Sequence, residues 1–483
     1  MLFRGSLGVE TGPQRIAVVA TMVLVTLASL AISSLIGYDE SMAFYAVIAV
    51  AIFVFAFINT DFALSVLILS MLLSPEFGVG GGSGPSEASR SVVIRLDDLL
   101  LGMITFSWLV KTAINKDLGL FIRTPLNRPV FTYLGLSLLS TFIGIFNGNV
   151  RPLIGLLYLV KYFQYFLIFL MVSSHIRDLK NLWRYRRMLL LTAFLVSLYA
   201  ISQIPSGVRV SAPFEGEGGE ANTLGGYLVI MMSLVISILP TLKTLRQKAG
   251  YAVLLLVMLI PFAYTLSRSS WIALFPALVV IIYFSKKRRQ LIIGMFLALL
   301  AMPFVIPSSV YERISYTFSP DNTLRTDVVE FGDTSLDPST SARIISWRDT
   351  FKQWTEKPFF GWGVTGAGFK DSQFFRVLAE TGAAGLVAFL WLLVALWREA
   401  YKRLKQVDPK EYSAEYAMII GYLGGYAGLI IHAIGANTFI IVRIMEPFWF
   451  LTAMVLMLPD LTRQESERRL LEQQAQEEKP KLR

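Results

Sequence analysis

The chain has no cysteine. That excludes disulfides, thiol nucleophiles and thiolate metal sites. Histidine is scarce too: His175 and His432 are the only two in 483 residues, too few for a multi-histidine metal centre. Charge is sparse. Asp, Glu, Lys and Arg make up 16% of the chain, against roughly 25% in soluble domains. Hydrophobic residues make up 54%, and apolar runs of about 20 residues recur along the chain. A soluble globular domain is therefore excluded. The pattern is that of an all-α, polytopic membrane protein, whose backbone groups must be satisfied inside each segment. No internal repeat is visible.

About fourteen spans are expected (a range of twelve to fourteen). They fall at 16–36, 42–58, 61–75, 97–114, 129–146, 153–173, 187–204, 222–240, 250–266, 271–284, 290–306, 374–397, 415–436 and 440–458. The third and tenth are short enough to be tilted or partly re-entrant. The first lacks the short apolar run and cleavage site of a signal peptide. The implied organisation is a first bundle at 1–306, a large loop at 307–373, three further helices at 374–458 and a tail at 459–483.

The net charge of +10 does not point to nucleic acid. Most of it lies in short connections on one side of the spans: Lys111 to Arg128, Arg177 to Arg187, Lys286 to Arg289 and Arg398 to Lys410. Cytoplasmic loops carry such an excess of Lys and Arg. Both termini are then cytoplasmic, and the polar loop Pro307–Lys370 is extracytoplasmic, with Ser206–Ala221 and Ser267–Ser270. A site on that side meets no ATP and no nucleotide sugar, which points to a donor already activated on a lipid. Gly78–Pro85 reads as a flexible outer loop, and the segment after Thr462 as a charged helix or a disordered end.

Long loops on compact scaffolds tend to carry function. Within this one, Ser319–Asp337 reads as a mobile flap. Ser339-Thr340-Ser341 offers helix caps, and Ile344, Trp347, Phe351 and Trp354 form one apolar stripe. This predicts a short amphipathic helix lying on the membrane interface, ended by Pro358 and Gly361. Arg343 and Arg348 lie on its other faces.

Several polar residues are candidates for chemistry. Arg268, in the tight connection Ser267-Arg268-Ser269-Ser270, either grips a lipid phosphate through paired hydrogen bonds or snorkels to headgroups. Arg209 precedes Asn222, which opens a span as an N-cap or as part of an anion site at a helix N-terminus. Lys161 lies inside a span and either lines a cavity or pairs with an acid. His432 reads as a hydrogen-bonded core residue. Arg95, Asp97 and Asp98, and similarly Arg443 and Glu446, read as salt-bridged helix starts. Asp371, followed by Ser372, is either an N-cap or a general base at the rim of an outer cavity.

Taken in order, these pieces resemble the bacterial O-antigen ligase and O-antigen polymerase superfamily, best from about Arg209 to Leu396. The features are Arg209 with Phe214 and Asn222; Ser267-Arg268-Ser269; Arg343 with Trp347; Pro358, Gly361 and Gly363; then Asp371-Ser372, Glu380, Gly382 and Gly385. The resemblance implies an integral membrane glycosyltransferase with a GT-C-like helical fold, at the outer face of the cytoplasmic membrane. Its donor would be an undecaprenyl-diphosphate-linked glycan, and its acceptor another glycan or a lipid-linked core. It would need no cofactor and no metal. Arg209 and Arg268 would hold the diphosphate. Arg343, Arg348, Asn222, Ser372, Lys161 and Glu380 would contact substrate. Asp371 stands where the family often has a histidine base. An aspartate is a weaker base than histidine, so it would orient the acceptor hydroxyl more than deprotonate it. This departure leaves polymerase and ligase both open. The competing class is a lipid-linked oligosaccharide flippase, which would show a polar path across the membrane.

Overall fold

The computed structural model describes residues 54–56, 58–79, 92–115, 124–215, 219–305, 338–368 and 370–477, with a few positions between 311 and 335. The first predicted span, nearly all of the second and most of the expected flap lie outside these residues. The architecture is helical: α1 (Thr60–Leu73), α2 (Leu96–Asn115), α3 (Asn127–Phe146), α4 (Pro152–His175), α5 (Leu179–Gln203), α6 (Ala221–Ile238), α7 (Leu245–Tyr264), α8 (Arg268–Phe284), α9 (Arg288–Val305), α10 (Pro338–Glu356), α11 (Gln373–Leu404), α12 (Ser413–Gly435) and α13 (Val442–Glu477).

Each predicted span from 61–75 onward coincides with one of these helices. Not all qualify as crossings, however. Among the described residues, eight helices are long and apolar enough to span a membrane: α3 to α7 and α11 to α13. α1 and α8 are the shorter apolar helices, at the two positions read as short. α2 and α9 carry charge at their starts, Asp97 and Asp98 in one, Arg288 and Arg289 in the other.

One expectation changes at residues 76–79. Glu76–Val79 (β1) pairs antiparallel with Val92–Arg95 (β2), so Gly78 and Val79 sit in a ribbon and not in a flexible loop. The β-branched run Val92-Val93-Ile94 favours extended pairing.

The core centres on α6, α12 and α13, while α7 is peripheral. α12 packs along both α6 and α8 because its sequence is small on two faces. A Cβ at Gly421 or Gly425 would meet Leu234 Cα or Ile230 Cα on α6, at 2.8 and 3.1 Å. A Cβ at Gly424 or Gly428 would meet the Ala277 or Ala273 carbonyl on α8, at 2.9 and 2.8 Å. Two overlapping small-xxx-small patterns thus let three backbones approach closely, which is how helices associate where lipid supplies no hydrophobic drive.

α11 is interrupted. Gly382 has φ +67, and a Cβ there would lie 2.3 Å from the Phe359 carbonyl. The loop after α10 plugs the gap. Trp362 N and Gly363 N donate to the Ala379 and Glu380 carbonyls (2.9 and 2.8 Å), and Ala383 N donates to the Pro358 carbonyl (2.8 Å). From α3, Ser140 Oγ donates to the Glu380 carbonyl (2.6 Å), and Thr141 Oγ1 accepts from Val364 N (3.3 Å). The broken helix and the glycine-rich loop therefore satisfy each other's backbone groups, as irregular backbone must inside a membrane protein.

Candidate functional site

Five segments meet at one end of the bundle. The first is the irregular stretch carrying Arg209. Its Val210 N donates to the Tyr264 carbonyl (3.3 Å), and Arg209 Nε donates to the Thr265 carbonyl (2.9 Å). The second is the turn into α8. Ser267 caps that helix, its Oγ accepting from Ser270 N (3.3 Å), and Arg268 follows as the first helical residue, half-buried. Arg209 thus fastens the turn from which Arg268 projects. Leu266 (φ +49), whose carbonyl faces Arg209 Nη2 at 3.5 Å, and Phe214 (φ +62), stacked on Tyr199, adopt left-handed backbone. Such conformations typically cost about 1–3 kcal/mol and persist where the surroundings impose them.

The third segment is the start of α6. Asn222 is not the cap there: Glu220 holds that position. Instead Asn222 Oδ1 accepts from Ser267 Oγ (2.6 Å) and Ser269 Oγ (3.4 Å), tying α6 to the Arg268 turn. The fourth is the end of α12 with the turn after it. His432 is fully buried; its Nε2 faces Ser270 Oγ (3.1 Å) and its Nδ1 faces Thr438 Oγ1 (2.8 Å). It is the core histidine that the sequence suggests. Arg343 of α10 is half-buried.

The fifth segment leads into α11. Ser372 Oγ donates to the Ala433 carbonyl (3.5 Å), Asn437 Nδ2 to the Lys370 carbonyl, and Phe439 N to Gln373 Oε1 (3.0 Å). The residues on both sides of Asp371 are therefore pinned to the end of α12. Asp371 itself is half-buried, and among the described residues its carboxylate has no hydrogen bond or ion pair. The cap position of α11 belongs to Ser372, so the alternative reading of Asp371 as helix cap does not hold.

The other candidates lie apart. The α10 helix forms but begins at Pro338, so Ser339, Thr340 and Ser341, expected to cap it, lie inside it; Trp347 stacks on Phe375 (5.3 Å, 7°), but Phe351 of the expected stripe is exposed. Arg348 is exposed on α10. Glu380 is buried in α11; its Oε1 accepts from Thr365 N (3.0 Å) and Arg376 Nε (3.0 Å). It locks the glycine-rich loop. Arg376, stacked over Tyr158 at 5.7 Å, escaped sequence reasoning although its i,i+4 spacing to Glu380 is there to be read.

Lys161 belongs to a second polar constellation. Its Nζ pairs with Asp98 Oδ2 (3.2 Å), the acid partner that one reading of the sequence required. Gln164 Nε2 donates to Asp98 Oδ1 (2.8 Å) and Glu446 Oε1 (2.9 Å); Arg95 pairs with Asp97 and with Glu446 (3.2 Å). Arg443 donates to the Leu72 and Ser74 carbonyls and faces Glu215 at 3.8 Å. Asp97, Asp98 and Glu446 are close enough to hold a cation among the described residues, yet Arg95, Lys161, Gln164 and Ser74 already face their oxygens. This group joins α1, α2, α4 and α13.

Residues 253–390 match the O-antigen ligase family, in agreement with the resemblance read from the residues. The matched region contains the Arg268 turn, Arg343, the glycine-rich loop and Asp371-Ser372. No curated protein matches the chain. Over the matched stretch, less than a third of the chain, the protein is similar to the O-antigen ligase family, and eight of its described helices are long and apolar enough to cross a membrane.

Proposed function

We propose that this protein is a membrane glycosyltransferase that takes a glycan from an undecaprenyl-diphosphate donor at the outer face of the bacterial cytoplasmic membrane. The observation that carries the reading is the convergence of Arg209, Asn222 and Arg268 on one turn, with both flanks of Asp371 fastened beside it. Arg268 grips the diphosphate with paired, charge-assisted hydrogen bonds, and Arg209, whose Nε and Nη2 hold the turn, adds its positive charge to the same diphosphate. As the glycosidic bond breaks, negative charge grows on the leaving diphosphate, and pre-placed cations stabilise it. Asp371 accepts a hydrogen bond from the attacking hydroxyl of the acceptor sugar. The hydroxyl oxygen attacks the anomeric carbon as its bond to the diphosphate oxygen breaks on the opposite side, so configuration inverts in one displacement; the hydroxyl proton passes by way of Asp371 to solvent, and the diphosphate leaves on the prenyl carrier. Arginine supplies the positive charge here, and transfer is expected to persist in excess chelator.

The test is to incubate purified protein with an undecaprenyl-diphosphate-linked glycan and candidate acceptors, without nucleotide, and to size the products. One addition indicates a ligase and a ladder a polymerase. Product formation by Arg268→Ala at the wild-type rate would contradict the assignment.

A further inference from the structure

A buried chain of hydrogen bonds runs from Thr438 to Asn222. Its links are Thr438 Oγ1 to His432 Nδ1 (2.8 Å), His432 Nε2 to Ser270 Oγ (3.1 Å), Ser270 Oγ to Ser267 Oγ (2.7 Å) and Ser267 Oγ to Asn222 Oδ1 (2.6 Å). Each hydroxyl has one proton to donate, so the direction of every link can be worked out. Asn222 Oδ1 accepts, so Ser267 gives it its proton. Ser267 Oγ also takes Ser270 N as the helix cap, and its remaining lone pair receives the Ser270 hydroxyl proton. With that proton committed, Ser270 Oγ must accept from His432, which therefore carries its proton on Nε2. His432 Nδ1 then accepts from Thr438. For a neutral ring both nitrogens are then satisfied, and all protons point toward Asn222.

The fold makes room for this chain. A Cβ at Gly225 would lie 2.1 Å from Ser270 Oγ, and one at Gly226 would lie 3.1 Å from His432 Cε1. Two adjacent glycines of α6 thus admit the serine and the imidazole. With Oδ1 turned to two serine hydroxyls, the Asn222 amide nitrogen faces away from the chain. The reverse polarity, with the proton on Nδ1, would require the amide to be turned round.

We infer that His432 is a positioning residue: through Ser270 and Ser267 it turns the amide donors of Asn222 toward the diphosphate of the donor. This rests on the proposed function and adds to it a specific donor and the device that aims it. Both links of His432 are buried, so the amide can turn round only if the imidazole tautomer and every hydroxyl of the chain reverse with it.

Two measurements test it. The first needs no substrate. Full-length protein labelled with ¹⁵N-histidine, in a His175→Asn background, gives a single imidazole signal by NMR. The neutral Nε2–H tautomer is expected; an Nδ1–H tautomer or an imidazolium would overturn the inference. The second is a double-mutant cycle on binding of undecaprenyl diphosphate. His432→Leu, or the milder Ser270→Ala should the first fold poorly, is expected to weaken binding about tenfold, or roughly 1.4 kcal/mol. In an Asn222→Ala background the same change is expected to have less than about a twofold further effect, because the group it aims is gone. Equal losses in both backgrounds would show that His432 does not act through Asn222. If the wild-type protein fails to bind the probe, the donor assignment falls, while the tautomer still decides the polarity of the chain.

Discussion

Arg209 and Arg268 reach the same turn from segments nearly sixty residues apart, and each has a separable task. Arg209 spends a hydrogen bond on the turn itself, whereas Arg268 starts the helix that the turn caps. Arg268→Ala is expected to lower transfer by about 10²-fold or more without reducing membrane expression; radiolabelled glycan transfer set against quantitative immunoblotting checks this. Asp371→Asn keeps shape and removes charge, and is expected to lower kcat more than it raises KM, which steady-state kinetics separates. Full activity would reduce Asp371 to a rim residue. Arg95→Leu tests the other polar group. It strands Asp97 and Glu446, both fully buried, and loss of one partner of a buried pair costs about 3–5 kcal/mol. A clear fall in Tm in detergent is expected. The Ser267–Ser270 connection was legible in the sequence because four polar residues between two apolar runs stand out. Lys161 was legible as an anomaly, though its partner Asp98 was not, since the two are brought together only by helix packing. Ser140 left no signal, because the carbonyls it bonds lie more than two hundred residues along the chain; Arg376 did leave one, the i,i+4 spacing to Glu380.

At the scale of elements, the inserted loop and the interrupted α11 depend on each other. Gly382 is the point of failure: its φ of +67 disfavours any side chain, and a Cβ there overlaps the Phe359 carbonyl. Gly382→Ala is expected to expel residues 358–368, seen as faster proteolysis after α10 together with loss of transfer. An unchanged cleavage pattern would contradict the coupling. Helix positions were readable from apolar runs, and α10 was predicted with its end but not its start, since it begins at Pro338, ahead of the residues expected to cap it. Its buried face was less so, because Trp347 finds Phe375 while Phe351 remains exposed. The ribbon at Glu76–Val79 was missed because glycines mask a strand whose partner lies beyond a long insertion.

For the molecule as a whole, the absence of cysteine offers a direct probe of orientation. Thr355→Cys on α10 and Gln473→Cys near the end of α13 are both at exposed positions. A membrane-impermeant maleimide is expected to label the first in intact cells and the second only after permeabilisation, as the distribution of Lys and Arg implies. The opposite pattern would invert the topology and move the site to the cytoplasm. The most direct test of the shared site is a cryo-EM structure with undecaprenyl diphosphate bound. Diphosphate density bridging Arg209 and Arg268, with the Asn222 amide and Asp371 at its edge, is the predicted result; density seated instead at Lys161 or Arg376, away from that turn, would contradict it.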